Sequence, residues 1–401
     1  MHIRVKPNAL YLYFFALLNA LCLVSCFVNI RLGIVSSVLI FFVFIFYSGK
    51  KGFLYEPVFF IYLIAQLISV IAYLWNGRPF VIFIQAISFN FVPSLLFFLG
   101  RYIAKSNNEE KWQYYTLNAF CFMMLVGTIT YILTPGFYYK YLGQSVESYA
   151  YGLEDYRYGS YISSIALGSV SSICILLYFS VFDRLSRWQR IAYLPLILLN
   201  VAMCMQRSAW IVAVIALFAS LFYKFGKDRK MRIRIFLLLV GVVFLIIVVL
   251  IYRNVFFTST QLLYFESRIG VVTLENMFSS RNSQWQAAFE IFKENPLFGF
   301  GLGSCGQKAA PFDMDVVTDG NHLRILVEIG IFGFIAFSFL NVRGVVRSLK
   351  RKQFYVAMAL ILYNLAAVGS PIFDQYYASF AYWIILGCAS TNITCNNLEL
   401  E

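Results

Sequence analysis

The sequence predicts an all-α polytopic membrane protein with about twelve transmembrane helices. Of its 401 residues, 61% are hydrophobic and only 13% are charged, whereas a soluble domain carries about 25% charged residues. Apolar runs recur from one end of the chain to the other, and about 20 consecutive apolar residues are needed to cross a bilayer. Residues 1–397 are therefore predicted to form a single polytopic domain.

Successive apolar runs define the predicted spans. They cover residues 9–28, 32–48, 56–75, 80–100, 114–134, 160–182, 191–206, 208–223, 234–252, 322–342, 354–371 and 377–391. Most connections between them are short, but two are long, at about 135–159 and about 253–321. Long loops of this kind are uncommon unless they are functional, so the chemistry is expected there. The closing Leu-Glu-Leu-Glu, 398–401, is expected to be a remnant of an expression vector and is left out of the predicted domain.

The distribution of charge gives the predicted orientation. The net charge is +13, and most Lys and Arg residues fall in the short loops that share a side with both termini. Cytoplasmic loops carry an excess of Lys and Arg, so both termini are predicted to be cytoplasmic and both long loops to lie outside. The positive charge then orients the protein and attracts anionic membrane lipids. It requires no nucleic acid partner.

The second long loop contains a predicted amphipathic helix, SSRNSQWQAAFEIFKENP. Ser279 or Ser280 is its expected N-cap, and Asn295-Pro296 is its expected end. Three aromatic residues at i, i+4 and i+7 form one face, which suits a helix lying on the membrane or against the bundle: Trp285, Phe289 and Phe292.

A charged residue is expected at the start of this helix, and three glycines follow its end. Arg281 is expected at its amino end, where the helix dipole disfavours a cation, so an anionic partner is expected nearby. After the helix, Gly299, Gly301 and Gly303 allow positive φ and close backbone approach. The segment can therefore pass tightly by a ligand or by the next helix.

Two further features leave alternatives open. Arg207 interrupts a long apolar stretch, and an arginine at mid-bilayer costs about 2.5–3.5 kcal/mol. Its turn is expected either in a water-filled cavity slightly below the outer surface or with the arginine extended to lipid head groups. The first long loop is rich in tyrosines, up to Tyr158, which form either an interfacial aromatic belt or a platform for carbohydrate.

Several of these motifs resemble one known family. RNSQWQAAFEIFKENPLFGFGLGS, followed by DGNHLRILVEIGIFGFIAF, resembles the signature region of the bacterial O-antigen polymerase (Wzy) and O-antigen ligase superfamily. MQRSAWIVAVIAL resembles the upstream hairpin of that family. Ligases carry a His-Asn pair at the positions of Asp319 and Gly320. That departure favours a polymerase, and it leaves open whether His322 is the equivalent histidine.

The resemblance implies a glycosyltransferase of the integral-membrane, GT-C-like architecture. Such a polymerase joins undecaprenyl-pyrophosphate-linked repeat units into the O-antigen polysaccharide of lipopolysaccharide. The transfer is inverting and metal-independent, without a cofactor, on the periplasmic face of the inner membrane. A chain-length-determining co-polymerase is an expected partner. The alternatives are an O-antigen ligase acting on lipid A core, and a lipid-linked oligosaccharide flippase or transporter.

This chemistry needs cations for the departing pyrophosphate and a base for the acceptor hydroxyl. Arginine binds phosphate oxygens with two hydrogen bonds; the predicted clamp is Arg207, Arg281 and Arg324, with Arg268 and Arg157 in reserve. Imidazole titrates near neutral pH and suits base catalysis; the predicted base is His322 or Asp319, with Glu328 in reserve. If the following helix begins early, Asp319 and His322 share a face. The sequence contains no ligand cluster that predicts a metal site.

Overall fold

The computed structural model describes a large part of the predicted bundle. The described residues are 56–75, 77, 79–105, 109–134, 137, 147–148, 154–155, 158–160, 162, 164–204, 206–226, 230, 233, 274–306 and 320–391. The predicted spans 9–28, 32–48 and 234–252 lie outside them. The twelve-span topology and the single-domain boundary therefore stay predictions.

The described chain is helical apart from one short antiparallel pairing, in which β1 (Glu147–Ser148) pairs with β2 (Glu154–Asp155). The helices are α1 (Pro57–Trp75), α2 (Phe80–Ala86), α3 (Val92–Ser94), α4 (Leu96–Lys105), α5 (Glu109–Leu133), α6 (Ser164–Ser180), α7 (Arg187–Met203), α8 (Arg207–Phe225), α9 (Leu274–Glu294), α10 (Asn321–Lys350), α11 (Phe354–Gly369) and α12 (Tyr376–Ala389). Four of these, α1, α5, α8 and α10, are long and apolar enough to cross a membrane. The described part is consistent with a polytopic membrane protein.

One predicted span is not a continuous helix. The segment predicted at 80–100 contains a π-helical turn, Ile87–Phe91, between α2 and α3. Pro93 follows directly, and a proline inside a helix removes one backbone donor and collides with the preceding turn. The wider π-turn accommodates this defect, and such turns are frequent at functional sites.

Two short, buried helices form the centre of the bundle. In α6 and α12 almost every residue is buried. α12 crosses α4 in close backbone contact, since a Cβ on Gly100 would lie 2.1 Å from the Ile384 carbonyl and one on Gly387 would lie 2.1 Å from the Phe97 carbonyl. Small residues give membrane helices this close approach.

The bundle has two chemically different ends. At one, which we call the basic end, α1 begins and α4 and α10 end, and Arg101 and Arg343 both bind Glu56. At the other, which we call the loop end, α8 and α10 begin and α11 ends. The long connection between α5 and α6 leaves from the loop end, and the one between α8 and α10 returns to this end at the start of α10.

The longest helix, α10, is broken near its start at Gly330. This residue has φ 69° and ψ −177°, a conformation essentially restricted to glycine. The break frees the carbonyls of Val327 and Glu328, which accept hydrogen bonds from Phe300 (2.9 Å) and Gly301 (3.0 Å). In return, the Ile331 N–H donates to the Pro296 carbonyl at 2.9 Å. The segment after α9 therefore replaces the missing turn of α10.

Substitution Gly330→Ala should strongly destabilise the protein. Its Cβ would lie 2.2 Å from the Leu297 carbonyl, and the backbone strain adds a cost of order 1–3 kcal/mol. We expect a clearly lower midpoint of thermal aggregation in detergent, measured by size-exclusion chromatography.

Gly77→Ala is the matched control, because Gly77 also has positive φ (63°) but has no neighbouring atom within 4 Å of the added Cβ. It should cause a smaller loss, due to strain alone. Equal losses for the two variants would contradict the proposed collision with the segment after α9.

Candidate active site

The predicted amphipathic helix is present as α9 and covers the beginning of α10. It ends at Glu294, directly before Asn295-Pro296 as predicted, but it begins at Leu274, before the predicted cap at Ser279 or Ser280. A small apolar cluster joins the two helices and the segment between them: Ala288, Ile291, Phe292, Cys305, Leu323 and Val327. The predicted aromatic face is only partly correct, because Phe289 is exposed. The buried stripe is centred on Ala288 instead.

Because α9 starts earlier than predicted, Arg281 does not lie at the amino end of the helix. This residue lies inside the helix, two turns after Leu274, where the helix dipole no longer acts strongly on a charge. The expected conflict at a helix amino end is therefore wrong for Arg281. Arg157, Arg268 and Asp319 lie outside the described residues, so their predicted roles stay predictions.

The glycine-rich segment, residues 295–306, lies in tight contact with helices. Gly299, Gly301 and Gly303 have φ of 74°, 110° and 87°. A Cβ on Gly301 would lie 2.4 Å from Tyr73 in α1, and one on Gly303 would lie 2.3 Å from Ala86 in α2. Of the two predicted uses of these glycines, close packing against helices is therefore observed. We call residues 295–306 the connector.

Beneath the connector lies a buried ion pair between Arg324 and Glu328, one turn apart on α10. Both residues are nearly inaccessible, at 3% and 1% exposure, and Arg324 Nε lies 3.8 Å from Glu328 Oε2. Arg324 Nη2 also donates to Asn90 Oδ1 at 3.1 Å. Because Asn90 belongs to the π-helical turn, the irregular part of the α2–α3 segment holds the guanidinium.

Backbone amides surround the carboxylate of this pair. The N–H of Cys305 donates to Glu328 Oε1 at 3.4 Å, and the N–H groups of Gly303 and Gly306 are near enough to favour the charged carboxylate. A buried charge is tolerated only when it is paired and hydrogen-bonded. Glu328 therefore fixes the connector to α10 as well as balancing Arg324.

A small cavity adjoins this pair. Its volume is about 20 Å³, roughly enough for one water molecule. Its polar lining comes from Tyr62, Gln66, Asn90, Arg324, Glu328 and Ser379. Gln66 and Asn90 are functional candidates that the sequence reasoning missed. The available signal was an amide side chain inside an apolar span, since polar groups within a membrane tend to be functional.

His322 lies six residues before Glu328 on α10 and is held by α11. Its Nε2 lies 2.9 Å from the backbone carbonyl of Asn364. A carbonyl can only accept, so Nε2 carries the proton and, in the neutral ring, Nδ1 is the free base. The Asn364 side chain donates to Asn341 Oδ1 at 2.8 Å, which fixes the position of α11 at this point.

The described helix α10 begins at Asn321, after Gly320 with φ 96°. The early helix start that would place Asp319 and His322 on one face is therefore not observed. Asp319 itself lies outside the described residues.

Arg207 and Arg324 belong to helices whose starts are both bound to the turn after α11. Gln206, which precedes α8, donates to Ser370 Oγ at 3.1 Å, and Ser208 Oγ lies 2.8 Å from the same atom. Three residues later in that turn, the N–H of Phe373 donates to Asn321 Oδ1 at 3.0 Å. The turn after α11 thus joins the starts of α8 and α10. Arg207 is the first residue of α8 and is partly buried.

Tyr158, one of the tyrosines of the first long loop, packs inside the protein. Tyr158 is buried, and its hydroxyl lies 3.2 Å from Thr128 Oγ1. Burial raises the pKa of Tyr158 to about 12, so the phenol stays neutral at physiological pH. Tyr158 therefore belongs to neither the predicted interfacial belt nor the predicted carbohydrate platform.

The fold and this site define an integral membrane protein with buried charges at one end of a helical bundle. Residues 192–338 match the family model described as O-antigen ligase. A search of curated proteins found no match. The matched region runs from α7 into α10 and includes α9, the connector, His322 and the Arg324–Glu328 pair. It supports the superfamily of O-antigen ligases and polymerases, which are glycosyltransferase-type enzymes acting in O-antigen assembly.

The Arg324–Glu328 pair should show strong coupling in a double-mutant cycle. Arg324→Met leaves a buried carboxylate without its cation, at a cost of about 3–5 kcal/mol. Arg324→Met/Glu328→Leu removes both charges and should recover much of that loss. Chemical unfolding in detergent measures all four states of the cycle.

Lys293→Met is the control, because its pair with Glu290 is 66% and 69% exposed and exposed pairs contribute little. It should unfold almost like the wild type. A double variant that is as unstable as the sum of its two single variants would contradict the coupling.

Proposed function

We propose that the chain is an O-antigen polymerase. It joins undecaprenyl-pyrophosphate-linked oligosaccharide repeat units into polysaccharide by inverting glycosyl transfer. The donor is the growing glycan, and the acceptor is a sugar hydroxyl of the incoming unit. The observation that carries the proposal is that the turn after α11 binds the starts of both α8 and α10, whose first turns hold Arg207 and Arg324.

Two helix starts with two arginines suit a pyrophosphate leaving group. The free N–H groups and the dipole of a helix start attract an anion, whereas an arginine there is unfavourable unless an anion lies close by. The dipole conflict expected at Arg281 is therefore relevant at Arg207, whereas at Arg324 the nearby anion is Glu328. In the proposal, both guanidiniums stabilise negative charge as it develops on the leaving pyrophosphate. Arg281, Arg268 and Arg157 are further candidates for this clamp.

His322 is our preferred base. The Asn364 carbonyl selects the tautomer with a free Nδ1, which accepts the proton of the attacking hydroxyl. Glu328 is less suited to this step, because its carboxylate already accepts from the connector amides and pairs with Arg324. Its proposed role is to position the clamp. Asp319 is the alternative base.

A ligase is the second candidate, because the matched family model is described as O-antigen ligase. Asp319 and Gly320 stand where ligases carry the His-Asn pair, and this departure supports the polymerase. The loop end faces the periplasm in the proposal, and the basic end faces the cytoplasm. That orientation follows the positive-inside rule, and a chain-length-determining co-polymerase is the proposed partner.

The clamp is tested by gel analysis of surface polysaccharide. A strain lacking this protein is complemented with wild type, Arg207→Ala, Arg324→Lys or the exposed control Lys293→Ala, at equal membrane levels. The wild type and the control should restore a ladder. The two clamp variants should give core plus one repeat unit, because losing one such contact costs roughly 100-fold in rate or more.

Loss of every glycan from the core, including the single unit, would identify a ligase or a flippase instead. An unchanged ladder in both clamp variants would refute the proposed clamp while leaving the family unaffected.

The base is tested with His322→Gln. The glutamine Nε2 can still donate to the Asn364 carbonyl, but an amide cannot take up a proton. Thermal stability should therefore remain close to that of the wild type, while polymerisation of purified lipid-linked units falls about 100- to 10,000-fold.

Asp319→Asn is measured beside it, since Asp319 is the alternative base. Full activity of His322→Gln together with a comparable loss in Asp319→Asn would transfer the role to Asp319.

A further inference from the structure

The basic end contains an unusual concentration of arginine around one carboxylate. Glu56 is 3% exposed and contacts three guanidiniums, those of Arg101, Arg343 and Arg347. Arg101 is 6% exposed, and its Nε has no hydrogen-bond partner in the described chain. The three arginines exceed the single carboxylate by two positive charges.

Among the described residues, the neighbouring acidic side chains do not supply the missing negative charge. Glu109 is shared between Arg351 and Gln353. Farther along this end, two more acidic residues have their own partners: Glu110 pairs with Arg184, and Asp183 pairs with Lys224. Residues 1–55 contain no Asp or Glu at all.

Part of the charge is balanced by the end of α12. The carbonyl of Ser390 accepts from Arg101 and Arg347, and the carbonyl of Cys388 accepts from Arg351. The carboxyl end of a helix carries only about half a negative charge. Among the described residues, a net positive charge therefore remains around the buried Glu56 and Arg101.

An exposed apolar stripe leads along α10 to these arginines. Its members recur at i, i+3, i+7 and i+10 and are 54%, 62%, 44% and 51% exposed: Phe339, Val342, Val346 and Leu349. Arg343 lies between them on the same part of the helix, with 29% of its side chain exposed. In a membrane-spanning helix, this stripe faces acyl chains.

We propose that the cluster of Arg101, Arg343 and Arg347 binds the phosphate group of an anionic phospholipid, whose acyl chains lie along the stripe. Guanidinium groups bind phosphate oxygens with paired, charge-assisted hydrogen bonds. The stripe favours a lipid over free phosphate, because only a lipid matches both the charge and the apolar surface. The site lies at the opposite end of the bundle from the proposed active site and does not depend on it.

Native mass spectrometry of the purified full-length protein in detergent tests this site. The probes are phosphatidylglycerol and phosphatidylcholine with identical acyl chains. Arg343→Gln/Arg347→Gln leaves Glu56 paired with Arg101, so the fold should survive. Phosphatidylglycerol binding should become about 30-fold weaker, since each arginine contributes about 1 kcal/mol at an anionic membrane surface.

The matched control is Lys111→Gln/Arg187→Gln, which removes the same charge from two exposed residues on the same predicted face. It should bind phosphatidylglycerol like the wild type. An equal loss in this control, or equal binding of both lipids by the wild type, would overturn the site in favour of general surface charge. Displacement of the lipid by inorganic phosphate at equal concentration would overturn the lipid as the ligand.

A third variant covers the case in which the double variant does not fold. Arg343→Lys keeps the charge but loses the paired hydrogen bonds, and it should bind phosphatidylglycerol more weakly than the wild type. In a thermal-shift assay, phosphatidylglycerol should stabilise the wild type more than Arg343→Lys. Equal stabilisation of these two proteins would also refute the site.

Discussion

The exchange of backbone hydrogen bonds at Gly330 is the constraint on which the rest of the candidate site depends. A broken helix leaves carbonyls that must find donors inside the protein. Here the connector supplies those donors through Phe300 and Gly301, and Gly299 allows the chain to come close enough. The break at Gly330, the proline turn after α9 and the glycines of the connector therefore depend on one another. Each alone would lower the stability of the fold.

The buried charges follow from this arrangement. Once the connector lies against α10, its amides point at Glu328, and a carboxylate becomes tolerable at a position with almost no access to water. Glu328 in turn makes Arg324 tolerable one helical turn earlier, with Asn90 on the π-turn as the second partner. The guanidinium is thus held in place from two sides. Such preorganisation is what a site needs if it is to stabilise charge that develops during a reaction.

The sequence predicted the positions of the helices better than the breaks, starts and turns within them. Apolar runs located the described spans, and Asn295-Pro296 located the end of α9, because span length and proline chemistry are local properties. The start of α9, the exposure of Phe289 and the π-turn before Pro93 depend on packing against other helices, which no local pattern records. For the site, charge in an apolar helix singled out Arg324 and Glu328. Their partner Asn90 is more than 200 residues away in the chain, and only the fold brings it near.

α10 joins two charged regions that lie at opposite ends of the bundle. Its first part carries His322, Arg324 and Glu328 and is held by the connector, while its last turns carry Arg343 and Arg347 and are held by Glu56 and the end of α12. Thirty residues at 1.5 Å each give about 45 Å, more than the roughly 30 Å core of a bilayer. The helix can therefore keep both charged regions near the two membrane surfaces. Because each end is fixed by its own ion pairs, the helix can carry a break at Gly330 and still hold the first turn of the candidate site in position.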